Sequence, residues 1–379
     1  MTSRFLVYIG ASCVMGYLLL LGAPAAVAQY SDQPTVGGDP VFATKADVML
    51  STVKTLIEAK DYTEAERLAE EVTATAPDMV DGWMMLGYTR SLNAKYESSN
   101  DAYDTALQYG ADTKEVLLRK AYNCRKLNDT EKTRQCFEQI LELETNVEVL
   151  MQFGAFEKSV QNYEDARRHF KAVLEVEPDN VVAIDAMSVI EDKLGQKTQV
   201  KYWLEKGLTL EPDNTKFLKR LSLIYLNEQN YDLSIHYLKK LLDVDANSSG
   251  AYRNMGIAYY QKGEKDKAKQ SFERVRELGG KMNGLYGPLA DCYRSTGARG
   301  EALAVIKEGI EQQEQEAWLY SIWGKLLEDV QQYDAAISKF SRAVELKDEP
   351  WSGYARKQIS RQTQLKKRAE LIAQKEREG

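Results

Sequence analysis

Histidine is nearly absent from this chain, with 2 residues in 379, and cysteine is sparse, with 4. That scarcity removes most of the material for zinc sites, thiol nucleophiles and imidazole bases. An excess of positive charge is also missing. Lys and Arg total 50 against 57 Asp and Glu, a formal charge of −7, which argues against a dedicated nucleic-acid binder. No glycine-rich phosphate loop, nucleophile elbow or zinc-ligand spacing occurs, so no enzyme, metal or cofactor is expected. Proline numbers only 8, while Ala, Leu, Glu, Lys and Tyr abound, a mixture that favours an all-helical protein. Apolar residues make up 44% and charged residues 28%, within the range of chains that fold.

Long uncharged runs are confined to the N-terminus. Residues 5–28 carry no charge; Arg4 precedes them and Pro24 interrupts their end. Ala26-Val27-Ala28 supplies small residues at −3 and −1 for a signal peptidase, so residues 1–28 read as a signal peptide cleaved before Gln29. The same 24 residues also suit a retained membrane anchor. Either way the remainder is exported, to a periplasmic or otherwise extracytoplasmic site. Residues 29–45, with Pro34, Gly37-Gly38 and Asp39-Pro40, read as a flexible linker. Beyond Cys13, the odd set Cys124, Cys136 and Cys292 suits buried thiols better than a disulfide framework. Two glycosylation acceptors, at Asn128 and Asn247, are explained by chance.

The main signal is internal repetition. Gly87, Ala121, Gly154, Ser188, Ser222, Gly256, Ala290 and Gly324 recur at steps of 33 or 34 residues. A second small series follows twelve positions later, from Ala65 and Ser99 to Ala302 and Ala336, with Val200 as its exception. Four residues beyond it stands a bulky one, among them Tyr103, Phe137, Phe170, Phe272 and Phe340. Two helices approach closely only where side chains are small, and the bulky residue fills the gap beside the crossing. One such pair cannot bury its apolar face alone; a stack can.

In detail the chain resembles the tetratricopeptide repeat (TPR) family. Trp83-Met84-Met85-Leu86-Gly87 matches its opening; Tyr163 to Phe170 with Pro178, and Tyr333 to Phe340, match its second half. The resemblance spans nine units, 46–79, 80–113, 114–146, 147–180, 181–214, 215–248, 249–282, 283–316 and 317–350. Units one (Val53) and five (Ile184, Lys197, Val200) are the least typical. It implies an all-α, right-handed α-solenoid whose first helices line a concave groove. Residues 351–379 read as a basic helix, +5 against −12 for residues 1–350, which caps the stack with Leu365, Ala369 and Ile372 on one face.

Positions 2, 5, 9 and 12 of a first helix share one face, which the resemblance assigns to the groove. Position 5 reads Leu50, Met84, Leu118 and Met151, then turns polar, and Tyr88 and Tyr122 flank the apolar part. Met and Tyr accommodate varied partner side chains; packing between adjacent first helices is the alternative. In units six to eight, Lys216, Lys219, Arg220, Arg253, Asn254 and Arg294 form an expected basic patch opposed only by Asp291, suited to acidic segments. His169 and His236 read as surface or half-buried helix residues. Asp185 and Asp192 share a face without forming a convincing catalytic pair.

The resulting expectation is an extracytoplasmic scaffold that binds peptide or protein segments and supports assembly of an envelope or secretion complex. A self-assembling structural solenoid and an accessory of polysaccharide or cell-wall export are the alternatives. Membrane proximity through the N-terminal segment and homo-oligomerisation stay open.

Overall fold

The computed structural model describes residues 44–312 and 316–378; the expected signal peptide and nearly all of the linker lie outside these residues. The described residues form nineteen α-helices and no strand. They fall into two compact units, divided after Asn123.

The first unit contains α1 (Lys45–Glu58), α2 (Tyr62–Thr75), α3 (Val80–Leu92), α4 (Tyr96–Gln108) and most of α5 (Thr113–Lys126). Its first helix starts at a reciprocal cap: the Thr44 hydroxyl accepts from the Asp47 amide while the Asp47 carboxylate accepts from the Thr44 amide. Two amide donors that have no helical partner are satisfied in this way. Between the helices Val53, Ala65, Ala69, Leu86 and Ala102 form one core cluster. Ala46, Met49, Leu50 and Val72 form another.

The second unit holds α6 (Thr130–Leu143), then the pairs α7–α8 (Val147–Ser159, Tyr163–Val176), α9–α10 (Val181–Lys193, Lys197–Leu210) and α11–α12 (Thr215–Asn227, Tyr231–Val244). The pairs α13–α14 (Ser249–Gln261, Lys265–Glu277), α15–α16 (Tyr286–Ser295, Arg299–Gln312) and α17–α18 (Ala317–Glu328, Tyr333–Glu345) follow, and α19 (Trp351–Glu378) ends it. Consecutive helices pack on one another, which makes the fold an all-α solenoid.

The small and bulky series meet within each pair. Gly87 of α3 faces the ring of Tyr103 of α4, and in the second unit Gly154 faces Phe170, Gly256 faces Phe272 and Gly324 faces Phe340. A methyl group on any of these glycines would fall under 3 Å from ring carbon, so the absence of a side chain sets the helix spacing.

The turn inside each pair has one backbone solution. Lys60, Ala94, Asn128, Gln161, Gly195, Gln229, Gly263, Gly297 and Gln331 all have positive φ, at the same step of 33 or 34. At each, the amide of the next residue returns to the carbonyl five positions earlier, as from Asp61 to Leu56 and from Asn162 to Glu157. This is the Schellman ending of an α-helix. Only three of the nine are glycine, so sequence inspection does not single the position out.

The first helix of unit eight begins at Tyr286, three residues into the unit, after an irregular approach in which Gly279 and Gly284 take positive φ. Two expectations need correction. Along the last helix, Ala369 and Ile372 are exposed; the packing is made by Trp351, Tyr354, Ala355 and Ile359 near its start. His169 is fully core, 5% exposed, not a surface residue.

Candidate functional site

The first unit places Tyr88 half-buried on α3, with the Arg119 guanidinium 5.0 Å from its ring centre. Burial pushes its phenol pKa up. Leu118 and Tyr122 are half-buried on α5, and Met84 packs at the edge of a cluster of Tyr103, Ala106 and Val116. Leu50 is different: at 6% exposure it is a core residue, because Met49 and Val72 close over the end of the first pair. Behind Tyr88 lies a polar relay that sequence reading missed. Ser91 donates to the Asn123 carbonyl oxygen at 2.7 Å, and Asn123 donates to Ser99 Oγ and Asn100 Oδ1 at 2.8 Å each. Ser99 in turn donates to the Gly87 carbonyl at 2.6 Å. These bonds tie α3, α4 and α5 together through groups that burial would otherwise leave unsatisfied. The signal was available as a polar Asn two residues after the small residue Ala121.

In the second unit Met151 is half-buried against the cluster containing Leu150 and Phe170. The more continuous apolar row lies at position 9 of the first helices, one helical turn from the position chosen by sequence. It runs Ala155, Val189, Leu223 and Ile257 on α7, α9, α11 and α13. Leu223 is 47% exposed, and Val189 and Ile257 are half-buried. First helices pack about 8–10 Å apart, a step that an extended segment covers in about three residues, so one segment can touch several members of the row.

The expected basic patch is largely neutralised. Lys216 pairs with Asp185 at 2.5 Å, and Arg220 donates to Ser188 while lying 3.7 Å from the same carboxylate. Arg253 donates to the carbonyls of Lys281 and Asn283, at 2.8 and 2.6 Å, and so serves the irregular approach to α15. Arg294 pairs with Asp291 and with Asp329. The patch is therefore not opposed by Asp291 alone: Asp185 and Asp329 also face it, at spacings of a repeat that a linear reading does not bring together. Lys219 stays exposed and Asn254 half-buried. Asp185, taken up by Lys216, forms no acid–base pair with the exposed Asp192.

Past this row the groove-side residues change character. Asp291, 4% exposed, accepts from Tyr260 at 2.9 Å, Lys265 at 2.7 Å and Arg294 at 3.2 Å. Burial alone would raise its pKa; the donors outweigh burial and hold the carboxyl below its ordinary value. Trp318 lies across Gly287, stacks on Trp351 with centroids 4.7 Å apart, and meets Tyr260 edge-on. Lys325 sits with its ammonium 4.8 Å from the Tyr354 ring centre; burial pulls this lysine's pKa down and pushes the Tyr354 phenol up to about 12. None of these aromatic residues was singled out from sequence: Trp318 lies at position 2 of the groove face, where the sequence reading followed the apolar strip along position 5, and Trp351 lies beyond the last unit.

Among the described residues no group of His, Cys, Asp and Glu is arranged to hold a metal ion, and no helix is long and apolar enough to cross a membrane. Cys124, Cys136 and Cys292 are all buried; burial raises Cys292 to about 12, far from a reactive thiolate.

Residues 219–283 match a family model described as tetratricopeptide repeat. No curated protein matches the chain. Among solved structures, the C-terminal part of a TPR repeat-containing protein from Cytophaga hutchinsonii is 14% identical, with a TM-score of 0.52 over 60% of this chain and 95% of that one. A tetratricopeptide repeat protein from Parabacteroides merdae is 20% identical, with a TM-score of 0.41 over 66% of this chain and 99% of that one. YrrB, described as a TPR protein with an unusual peptide-binding site, is 17% identical, with a TM-score of 0.38 over 46% and 91%.

Proposed function

We propose that this tetratricopeptide repeat protein is an extracytoplasmic scaffold that holds segments of other proteins on the faces of its first helices, in the setting of envelope-complex or secretion assembly. One observation carries the binding reading: Val189, Leu223 and Ile257 line up on successive first helices and stay partly open to solvent. An exposed apolar residue means little singly, whereas an apolar row repeated on successive helices marks a contact surface. The uncharged residues 5–28 support export.

A photo-crosslinking residue placed at Leu223 tests the binding reading in native envelopes, with the same residue at the exposed Lys240 of α12 as the control. Adducts from position 223 and none from 240 are expected. Equal adducts at both, or none at 223, would retire the groove. Fusing residues 1–45 to a reporter enzyme active only outside the cytoplasm tests export, and an inactive reporter would remove the extracytoplasmic part alone.

The alternative of end-to-end self-assembly is disfavoured by α19. In α17, Gly324 leaves the gap that the ring of Phe340 of the second helix fills; one repeat later, α19 has Gln358. At the crossing where a further second helix would need a small residue, α19 thus presents a polar amide. A single monomer boundary in sedimentation velocity at micromolar concentration is the matching result.

A further inference from the structure

Where the apolar row ends, position 9 of the next two first helices is held by Asp291 and then Lys325. Every carboxylate around Lys325 is already engaged. Asp291 has three donors, Asp329 has Arg294, and Glu328 has Arg361 at 3.1 Å. Four cations, Lys265, Arg294, Lys325 and Arg361, thus face three carboxylates. Of these four, Lys325 is the one without an ion pair to a described residue. Its one strong neighbour is the face of Tyr354, which attracts a cation without neutralising it. A half-buried ammonium in this state is costly unless an anion arrives. Trp351 meets that Tyr354 ring edge-on and stacks on Trp318, and the buried indole N–H of Trp318 has no acceptor.

We propose that this end of the row is a carboxylate-recognition position. It takes an Asp or Glu side chain of a bound segment whose neighbouring apolar residues lie along Ile257 and Leu223. The ammonium of Lys325 donates to the carboxylate, and Arg294 and Lys265 add attraction at longer range. The inference rests on the groove reading above and gives its partner a chemistry: apolar residues followed by an acid.

Two decapeptides of alternating leucine and serine, acetylated and amidated at their ends, serve as probes, long enough when extended to reach from Lys325 to Leu223. One ends in aspartate and its twin in asparagine. By calorimetry with the full chain at low ionic strength, the aspartate peptide should bind about tenfold more tightly, the scale of one charge-assisted contact. Lys325→Met should erase that preference, Lys325→Arg should keep most of it, and Leu223→Ser should weaken both peptides alike. Equal binding of the two peptides by the unaltered chain, or a preference that survives Lys325→Met, would overturn the inference while leaving the groove standing. Binding of neither peptide would overturn both. Unchanged far-ultraviolet circular dichroism confirms that the Lys325 variants fold.

Discussion

Helix α13 holds two glycines that should respond in opposite directions to the same substitution. A Cβ at Gly250 would meet nothing within 4 Å, whereas one at Gly256 would fall 2.5 and 2.6 Å from ring carbons of Phe272. Carbon atoms rest comfortably at about 3.5–4.0 Å, so Phe272 would have to retreat by roughly 1 Å. It is 0% exposed and packed in the large core cluster with Ala268 and Met255, where no free space lies behind it. Overpacking of this kind costs about 1–3 kcal/mol, while alanine in place of glycine in a helix returns up to about 1 kcal/mol. Gly256→Ala should therefore lose up to about 2 kcal/mol, the difference of those two, and Gly250→Ala should gain a few tenths to about 1 kcal/mol. Repeat arrays open locally, so native-state hydrogen exchange of the α13 and α14 amides is the suitable assay. In a Phe272→Leu background the loss at Gly256 should shrink, as expected of two residues in contact. Stronger protection in Gly256→Ala, matching that of Gly250→Ala, would refute the close-approach argument.

Three further outcomes are expected. Burial, with some help from Arg168, pulls the His169 pKa down, so the unfolded chain takes up a proton first. Stability should fall as pH drops from about 6.5, the ordinary histidine value, toward the folded value, and His169→Phe should flatten that part of a melting-temperature profile. At the turn position, Gly195 has φ +74 with open space around it. Gly195→Ala should lose about 1 kcal/mol from backbone strain alone, while Ala94→Gly should be neutral or gain, in chemical denaturation. Gln362 is 0% exposed with neither amide atom hydrogen-bonded; Gln362→Met should raise stability by about 1 kcal/mol, since it removes an unmet desolvation penalty.

The repeat was readable because its cause is local in register. A small residue at one crossing and a ring sixteen positions later recur in the chain as they recur in space, as Gly256 and Phe272 show. The charge pairing was not readable for the opposite reason. Lys216 meets Asp185, and Arg294 meets Asp329, across one repeat, and the geometry of that step is set by helix packing. The exposed row was missed by one helical turn: position 5 holds Met84 and Met151, but in the second unit the open apolar surface lies at position 9. Leu50 shows the limit of reading a face by spacing alone. In the first pair the same angular position turns inward, since Met49 and Val72 cover it.

The polar back of α19 also bears on how such a chain can lengthen. A hairpin stacked on α19 would find Gln358 where α17 holds Gly324, and so no gap for its ring. A hairpin inserted before Trp351 would meet the receptive flank of α18 below and present that same flank above, leaving the terminal lid unaltered. Growth by duplication is therefore confined to the interior of the series, with the closing piece carried along unchanged.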